Sequence, residues 1–490
     1  MAEAIKKPRI LHVTPEISPL VKMGGLGDVV GSLPRALNEL GCDCRVLIPN
    51  FKGLMDRANQ MGLKVTRCKA RIHVALNWRV YSAGLLRAEV GGVKTYILDQ
   101  PELFGDLEVY PKALTCETAL PFVFLGAAGL EIGDATGWRP QVLHLHDWPA
   151  STAASLLKWH RHYHRCSGSY ETVLTIHNLA HQGIVSPAGM DGWGFNKNSF
   201  SIDGMEFYGH VNLLKGAIIA SDYVTTVSPR YSWDIQTKEG GMGLDGVLYA
   251  HRNKLKGILN GVDYSVWNPT TDRVIAANYT AQDISGKWTC REDLFKMAGW
   301  EDRGEVLVCF VGRLVEQKGI DLILGAMDRL VLEPVKLLIL GSGHPLFQER
   351  VLSEARKHPD RIWASTAFDE ELSHRIYAGS DLLLMPSLFE PCGLSQLIAM
   401  AYGTIPVARA TGGIADTVID ADGAQDGTGF LFIDYSPEEM MRALRRAIGA
   451  VMDTNRRLNI MRNCMTSDFS WKSSASSYRE IYMDLMGRLA

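Results

Sequence analysis

The sequence predicts an α/β protein built from two doubly wound sheets, and three observations carry the prediction. Short runs rich in β-branched and aliphatic residues recur, each followed by a longer stretch of helical pattern. Those runs are apolar nearly throughout, as parallel strands buried on both faces are. The 490 residues exceed what one ordinary core holds, so two domains are expected.

In the first half the runs are RILHVTP (9–15), CRVLIP (44–49), KTYILD (94–99), QVLHLHD (141–147), TVLTIHN (172–178) and YVTTVS (223–228). In the second they are VLVCFVGR (306–313), VKLLILGSG (335–343), RIWAST (361–366), LLLMPS (382–387), IPVAR (405–409) and GFLFI (429–433). Between the two series lies LKGILNGVDYSVWNPT, ending in the turn-forming pair Asn268-Pro269. The expected division is therefore a first domain at 1–255, a hinge at 256–268 and a second domain at 269–470. A last helix from Trp471 onward is expected to return to the first domain. Two such domains facing each other would leave a cleft, and open α/β sheets bind ligands at the carboxyl ends of their strands.

Composition narrows the function classes. Hydrophobic residues at 46% and charged residues at 21% fit a globular protein. A net charge of −3 offers no electrostatic footprint for nucleic acid or an anionic membrane. No apolar run reaches the roughly 18 residues of a spanning helix, and the first strand follows the start closely, so a cytoplasmic location is expected. The nine cysteines are scattered without a CxxC, which suits neither a zinc site nor a disulfide framework.

Chemistry-bearing residues gather after the strands. Lys22-Met23-Gly24-Gly25-Leu26-Gly27-Asp28 opens a helix, where bare backbone N–H groups and a mobile cation suit a phosphate. The same glycines would also serve an ordinary turn. Arg313 and Lys318, in GRLVEQKG, could clamp a diphosphate. Glu390, in SLFEPCGLSQ, could accept hydrogen bonds from sugar hydroxyls, or simply sit as a cap charge. The N–H groups near Leu394 and Ser395 would meet a phosphate. His146-Asp147-Trp148 and His177-Asn178 end two strands, and Asp147 and Trp148 suit sugar hydroxyls and a sugar face. His144, His146 and His177 could form a metal triad, but no carboxylate stands at ligand spacing, and no metal is expected. Asp420-Ala421-Asp422 resembles a metal-binding DxD but reads as a loop, and HRHYH (160–164) reads as a solvated helix face.

Taken together the chain resembles bacterial glycogen synthases and plant starch synthases, the ADP-glucose-using GT5 branch of the GT-B glycosyltransferases. KMGGLGDVVGSLPRAL, LHLHDW, TIHNLAHQG, EFYGHVNLLKGAI, GILNGVDYSVWNP, VGRLVEQKGIDL and FEPCGLSQLIAMAYGTIPVARATGGIADTV fall in that family's order across nearly the whole chain. The resemblance implies a GT-B fold and retaining transfer of glucose from ADP-glucose to an α-1,4-glucan, with no cofactor or metal. It implies that Lys22 and Gly25 meet donor sugar and phosphate and that Arg313 and Lys318 hold the diphosphate. Glu390, Cys392, Gly393 and Leu394 would contact the glucose and its phosphate, with His177 and Asp147 flanking the glucose. Phe368 would stack near adenine. Gly24, Asp28, Asn178 and Asn260 complete the implied substrate contacts.

Three positions depart from the wider pattern. Ile398 stands where many GT-B members carry a second glutamate, which favours the glycogen and starch branch. YPKALTCETALPF after Tyr110 lacks the Asp-Asn-x-Glu-Arg-Phe pattern common in bacterial members, and His181 replaces a frequent Tyr. Two other classes compete: a GT-B transferase with a different acceptor, and a glucan-binding protein without catalysis. The retained Lys22, Arg313, Lys318 and Glu390 argue against the second.

Overall fold

The computed structural model describes residues 7–367 and 369–489; Phe368, the expected adenine-side ring, lies outside the described residues. Two compact units make up the chain. One comprises Met1–Val227, Ser232–Gly261 and Trp471–Ala490, the other Ser228–Tyr231 and Val262–Ser470. The expected hinge at 256–268 is thus divided at Gly261, because Leu255–Gly257 is itself a strand of the first unit. Residues 228–231 belong with the second unit: Ser228 Oγ donates to the Pro391 carbonyl and the Arg230 N–H to Asp416.

In the first unit the strands are β1 (Arg9–Val13), β2 (Asp43–Pro49), β3 (Thr66–Leu76), β4 (Arg79–Val90), β5 (Val93–Asp99), β6 (Val142–His146) and β7 (Glu171–Ile176). β8 (Ile184–Val185), β9 (Glu206–Phe207) and β10 (His210–Asn212) form a small separate sheet. β11 (Tyr223–Thr226) and β12 (Leu255–Gly257) complete the main sheet, whose order is β12-β11-β7-β6-β1-β2-β5-β4-β3. From β1 the chain winds outward through β2, then crosses back to β6 and winds the other way. The reversal therefore falls between β1 and β6, where doubly wound sheets bind ligands.

β3 and β4 were not among the expected parallel strands; they form an antiparallel hairpin. Their signal is period-two rather than continuous: Ile72, Val74 and Leu76 are buried while Arg71 and His73 are exposed. Leu76 pairs with Arg79, so Asn77 and Trp78 alone make the turn, with Asn77 at φ 50°.

Helix Cys116–Thr136 corrects the expectation about spanning segments. By length and composition it could cross a membrane, yet 72% of its apolar window is buried inside this unit. It is a core helix. A Cβ at Gly126 would lie 2.2 Å from Thr152 Oγ1, so only glycine lets it pack this closely against helix Asp147–Trp159. HRHYH is likewise not a solvated helix face. His160 and Tyr163 are buried, and His160 Nδ1 accepts the N–H groups of His162 and Tyr163 just past that helix.

Helix Trp471–Leu489 packs on the first unit through Trp471, Ala475, Tyr478, Ile481, Tyr482 and Leu485, a stripe of helical period. Its partners include Ile10, Val29, Leu33 and Leu37.

In the second unit the strands are β13 (Val306–Val311), β14 (Val335–Leu340), β15 (Ile362–Ser365), β16 (Leu382–Met385), β17 (Ile405–Arg409) and β18 (Phe430–Phe432). All pair in parallel, in the order β15-β14-β13-β16-β17-β18. Each lies within a run the sequence marks. The winding reverses between β13 and β16, and these are the strands that GRLVEQKG and SLFEPCGLSQ follow.

Candidate active site

The loop after β1 is organised by a buried carboxylate. Glu16 Oε2 accepts the N–H groups of Met23 (2.7 Å) and Gly24 (3.1 Å), and Oε1 accepts the Tyr110 hydroxyl at 2.5 Å. Burial raises the Glu16 pKa above the usual carboxylate range. The glycines of GGLGDVVG divide their work. A Cβ at Gly27 would meet Glu16 Oε2 at 3.1 Å and one at Gly31 the Ser18 carbonyl at 2.7 Å, so these two let helix Gly25–Glu39 lie on the loop. A Cβ at Gly24 would meet no protein atom within 4 Å. Lys22 Nζ lies 2.9 Å from Asp28 Oδ1.

Across the reversal point, β6 delivers Asp147. Its backbone is left-handed (φ 52°), an uncommon state for a non-glycine residue. Asp147 Oδ1 accepts the N–H groups of His177 (2.7 Å) and Asn178 (3.4 Å), tying the end of β6 to the end of β7. Burial raises the Asp147 carboxyl to about 7, against the lowering effect of those two N–H groups. Asn178 Oδ1 accepts the Ala180 N–H. Asn260 is buried, its side-chain oxygen without a partner among the described residues.

Beneath these ends lies a buried row of imidazoles. His12 Nδ1 is 3.0 Å from His146 Nε2, and His146 Nδ1 is 2.9 Å from His177 Nε2. His144 stacks on His146 and shares hydrogen bonds with the Tyr482 hydroxyl (2.7 Å) and Thr175 Oγ1 (2.6 Å). Burial depresses all four, His12 and His177 to about 3. One nitrogen from each of His12, His144 and His146 lies within 4.8 Å of the others, a spacing a metal could bridge. Both ring nitrogens of His144, and the facing ones of His12 and His146, are already committed to hydrogen bonds.

In the second unit the two charged motifs meet. Lys318 Nζ donates to Glu390 Oε2 at 2.6 Å, and Ser387 Oγ donates to the same oxygen at 3.1 Å. Arg313 Nη2 donates to Gln317 Oε1 at 3.0 Å. The backbone makes this possible. Gly319 (φ 72°) packs where a Cβ would lie 2.0 Å from the Pro386 carbonyl oxygen, and the Leu388 N–H donates to Gln317. The turn Thr411-Gly412-Gly413 backs the glutamate: the Gly413 N–H donates to the Glu390 carbonyl. Helix Leu394–Ala401 begins at Gly393 (φ 75°), which has no side chain with which to cap it. Cys392 is buried beside it, and Ser395 lies in its first turn.

Several expectations change. Met23 and Gly24 cannot offer bare N–H groups to a phosphate, because Glu16 already accepts them. Trp148 is not a sugar platform: it is buried edge-on to Phe122, centroids 4.8 Å apart, and against Gly183. Asp420 and Asp422 are held by Arg446, with Arg456 on Asp422, as an ionic network. Glu16 and His12 were not singled out from the sequence. Glu16 closely follows an apolar strand and His12 lies within it, the one signal available for them.

Two doubly wound units, each with charged and polar side chains at the reversal point of its sheet, define a GT-B glycosyltransferase. Residues 9–250 match the family described as starch synthase catalytic domain, and residues 294–459 match glycosyl transferases group 1. A glycogen synthase of Anaeromyxobacter sp. (strain Fw109-5) is 40% identical over 97% of this chain and 99% of its own. Glycogen synthase 2 of Geobacter metallireducens is 38% identical, covering 97% and 98%. The catalytic domain of starch synthase IV from Arabidopsis thaliana, solved bound to ADP and acarbose, superposes with a TM-score of 0.91 at 32% identity, covering 98% of this chain and all of that one. A sucrose-phosphate synthase from Thermosynechococcus elongatus, at 18% identity and a TM-score of 0.62, shares the fold. The chain belongs to the glycogen synthase and starch synthase family.

Proposed function

We propose that the protein transfers glucose from ADP-glucose to the non-reducing end of an α-1,4-glucan, with retention at the anomeric carbon and release of ADP. The observation that carries this reading is the Lys318–Glu390 pair at the reversal point of the second sheet, with Arg313 four residues before Gln317 on the same loop. In that arrangement the cations take the diphosphate and Glu390 takes a sugar hydroxyl. Cys392, Gly393, Leu394 and Ser395 bring the uncapped helix start to the phosphate. In the first unit Lys22 is the cation for the donor, with Gly25 beside it, and Gly24 has open space where a side chain would stand.

The transition state carries positive charge on the glucose ring and negative charge on the departing diphosphate. Lys22, Arg313 and Lys318 stabilise the leaving group without a metal. Asp147 and His177 flank the sugar, with Asn178 fixed beside them through Asp147. The leaving phosphate accepts the proton of the attacking glucan hydroxyl on the same face, so no covalent glycosyl–enzyme forms.

Initial rates with glycogen and ADP-, UDP- or GDP-glucose test the reading. ADP-glucose should support the fastest release of nucleoside diphosphate, and equal or faster release from UDP-glucose would contradict the donor assignment.

A further inference from the structure

His12, His146 and His177 share two N···N hydrogen bonds, of 3.0 and 2.9 Å, and these use four of their six ring nitrogens. The two left over are His12 Nε2 and His177 Nδ1, at opposite ends of the row, and neither has a partner among the described residues. Burial keeps all three rings neutral at ordinary pH.

A neutral imidazole carries one N–H. Three rings therefore hold three protons, and each internal hydrogen bond consumes one. Suppose the His146 proton is on Nδ1. His146 then donates to His177 Nε2, which obliges His177 to carry its proton on Nδ1, and His12 must donate from Nδ1 to the bare His146 Nε2. Placing the His146 proton on Nε2 reverses every assignment. Only two states exist, all Nδ1–H or all Nε2–H, and the third proton sits at one end or the other.

The ends are not equivalent. His12 is on β1, fully enclosed in the middle of the main sheet, and an N–H stranded there would lose its hydrogen bond altogether. His177 stands just past the end of β7; its Nδ1 is as enclosed by the protein as His12 Nε2, but it lies at the carboxyl end of the strand, the edge at which such sheets receive a ligand whose oxygen can accept its proton.

We propose that His12 and His146 are positioning residues that hold His177 as its Nδ1–H tautomer, so that His177 acts as a hydrogen-bond donor from Nδ1 to a sugar hydroxyl or phosphate oxygen. This rests on the reading of His177 as a sugar-side residue. It assigns a task to two histidines that touch no substrate, and it makes the strength of the His177 donor depend on a ring two residues along the row.

The test is the tautomer itself, read by long-range proton–nitrogen correlation on protein selectively labelled with ¹⁵N-histidine. In the wild-type protein His177 should show a protonated Nδ1 and a bare Nε2, and the reverse pattern overturns the proposal. His146→Asn, whose side-chain amide can still donate toward His177, should keep the Nδ1–H form. His146→Phe should lose it, with kcat lowered by roughly 10-fold or more and KM for ADP-glucose little changed. An unchanged tautomer in His146→Phe also overturns the proposal, and if that variant fails to fold the wild-type spectrum decides alone. The spectrum is independent of the donor: an Nδ1–H His177 in a protein that makes no glucan supports the tautomer assignment while refuting the proposed function.

Discussion

Lys318 Nζ and Glu390 Oε2 lie 2.6 Å apart, joining a loop after β13 to a loop after β16 across seventy-two residues of sequence. Glu390 is 4% exposed, so this partner and Ser387 supply the hydrogen bonds that water cannot. Lys318→Met should therefore destabilise the protein by about 1–3 kcal/mol, since it leaves a buried acceptor without its cation. Adding Glu390→Gln should recover part of that loss. Denaturant midpoints of the two variants and the double variant check this, and additive losses would deny the coupling.

Catalytically, Lys318→Ala and Arg313→Ala should each lower kcat by roughly 100-fold or more, the effect of removing one preorganised donor from a developing charge. Steady-state rates on folded protein, with circular dichroism as the control, measure it. Near-normal turnover in either variant would remove that residue from the leaving-group site.

Gly319→Ala should be far more damaging than an ordinary glycine substitution. It combines a left-handed backbone (φ 72°) with a Cβ 2.0 Å from the Pro386 carbonyl. The loop carrying Lys318 would have to move, so melting temperature and turnover should fall together. A variant that keeps both would show that the loop accommodates the methyl group.

Activity should survive removal of divalent cations. Arg446 and Arg456 already occupy Asp420 and Asp422, the one DxD-like pair, while Arg313 and Lys318 supply positive charge in their own right. Rates after EDTA treatment should match untreated rates, and loss restored by Mg²⁺ or Mn²⁺ would contradict this.

Stability should depend on the imidazole row at acid pH. His12 and His177 are depressed to about 3 in the folded protein from an ordinary value of 6.5. Between those values the unfolded chain binds more protons, so their contribution is complete above 6.5 and is lost as pH falls toward 3. Asp147, raised to about 7, works in the opposite sense: its contribution is lost as pH rises from the ordinary carboxylate value through about 7. Denaturant midpoints across this range should show His12→Asn flattening the acid limb, and an unchanged slope would refute the assignment.

Much of this was legible in the sequence because parallel strands are apolar throughout. The twelve expected runs each contain a strand, and the polar residues at or just past their ends include Asp147 and His177 in the first unit and Arg313 and Glu390 in the second. The β3–β4 hairpin escaped because its strands face solvent on one side and alternate instead. Trp148 misled because an aromatic next to a site aspartate has the same one-letter signal whether it faces a sugar or, as here, Phe122. Glu16 and His12 were missed for the opposite reason. Their importance lies in long-range partners, Tyr110 and His146, that no local spacing reveals.

The most direct test of the account follows the product. The protein is incubated with a reducing-end-labelled maltooligosaccharide and ADP-glucose, and chain lengths are read by mass spectrometry. A ladder growing by single glucose units is expected, one ADP released per unit, with the added residues removable by an α-1,4-specific exo-hydrolase. ADP release with free glucose and no ladder, or no release at all, would contradict it.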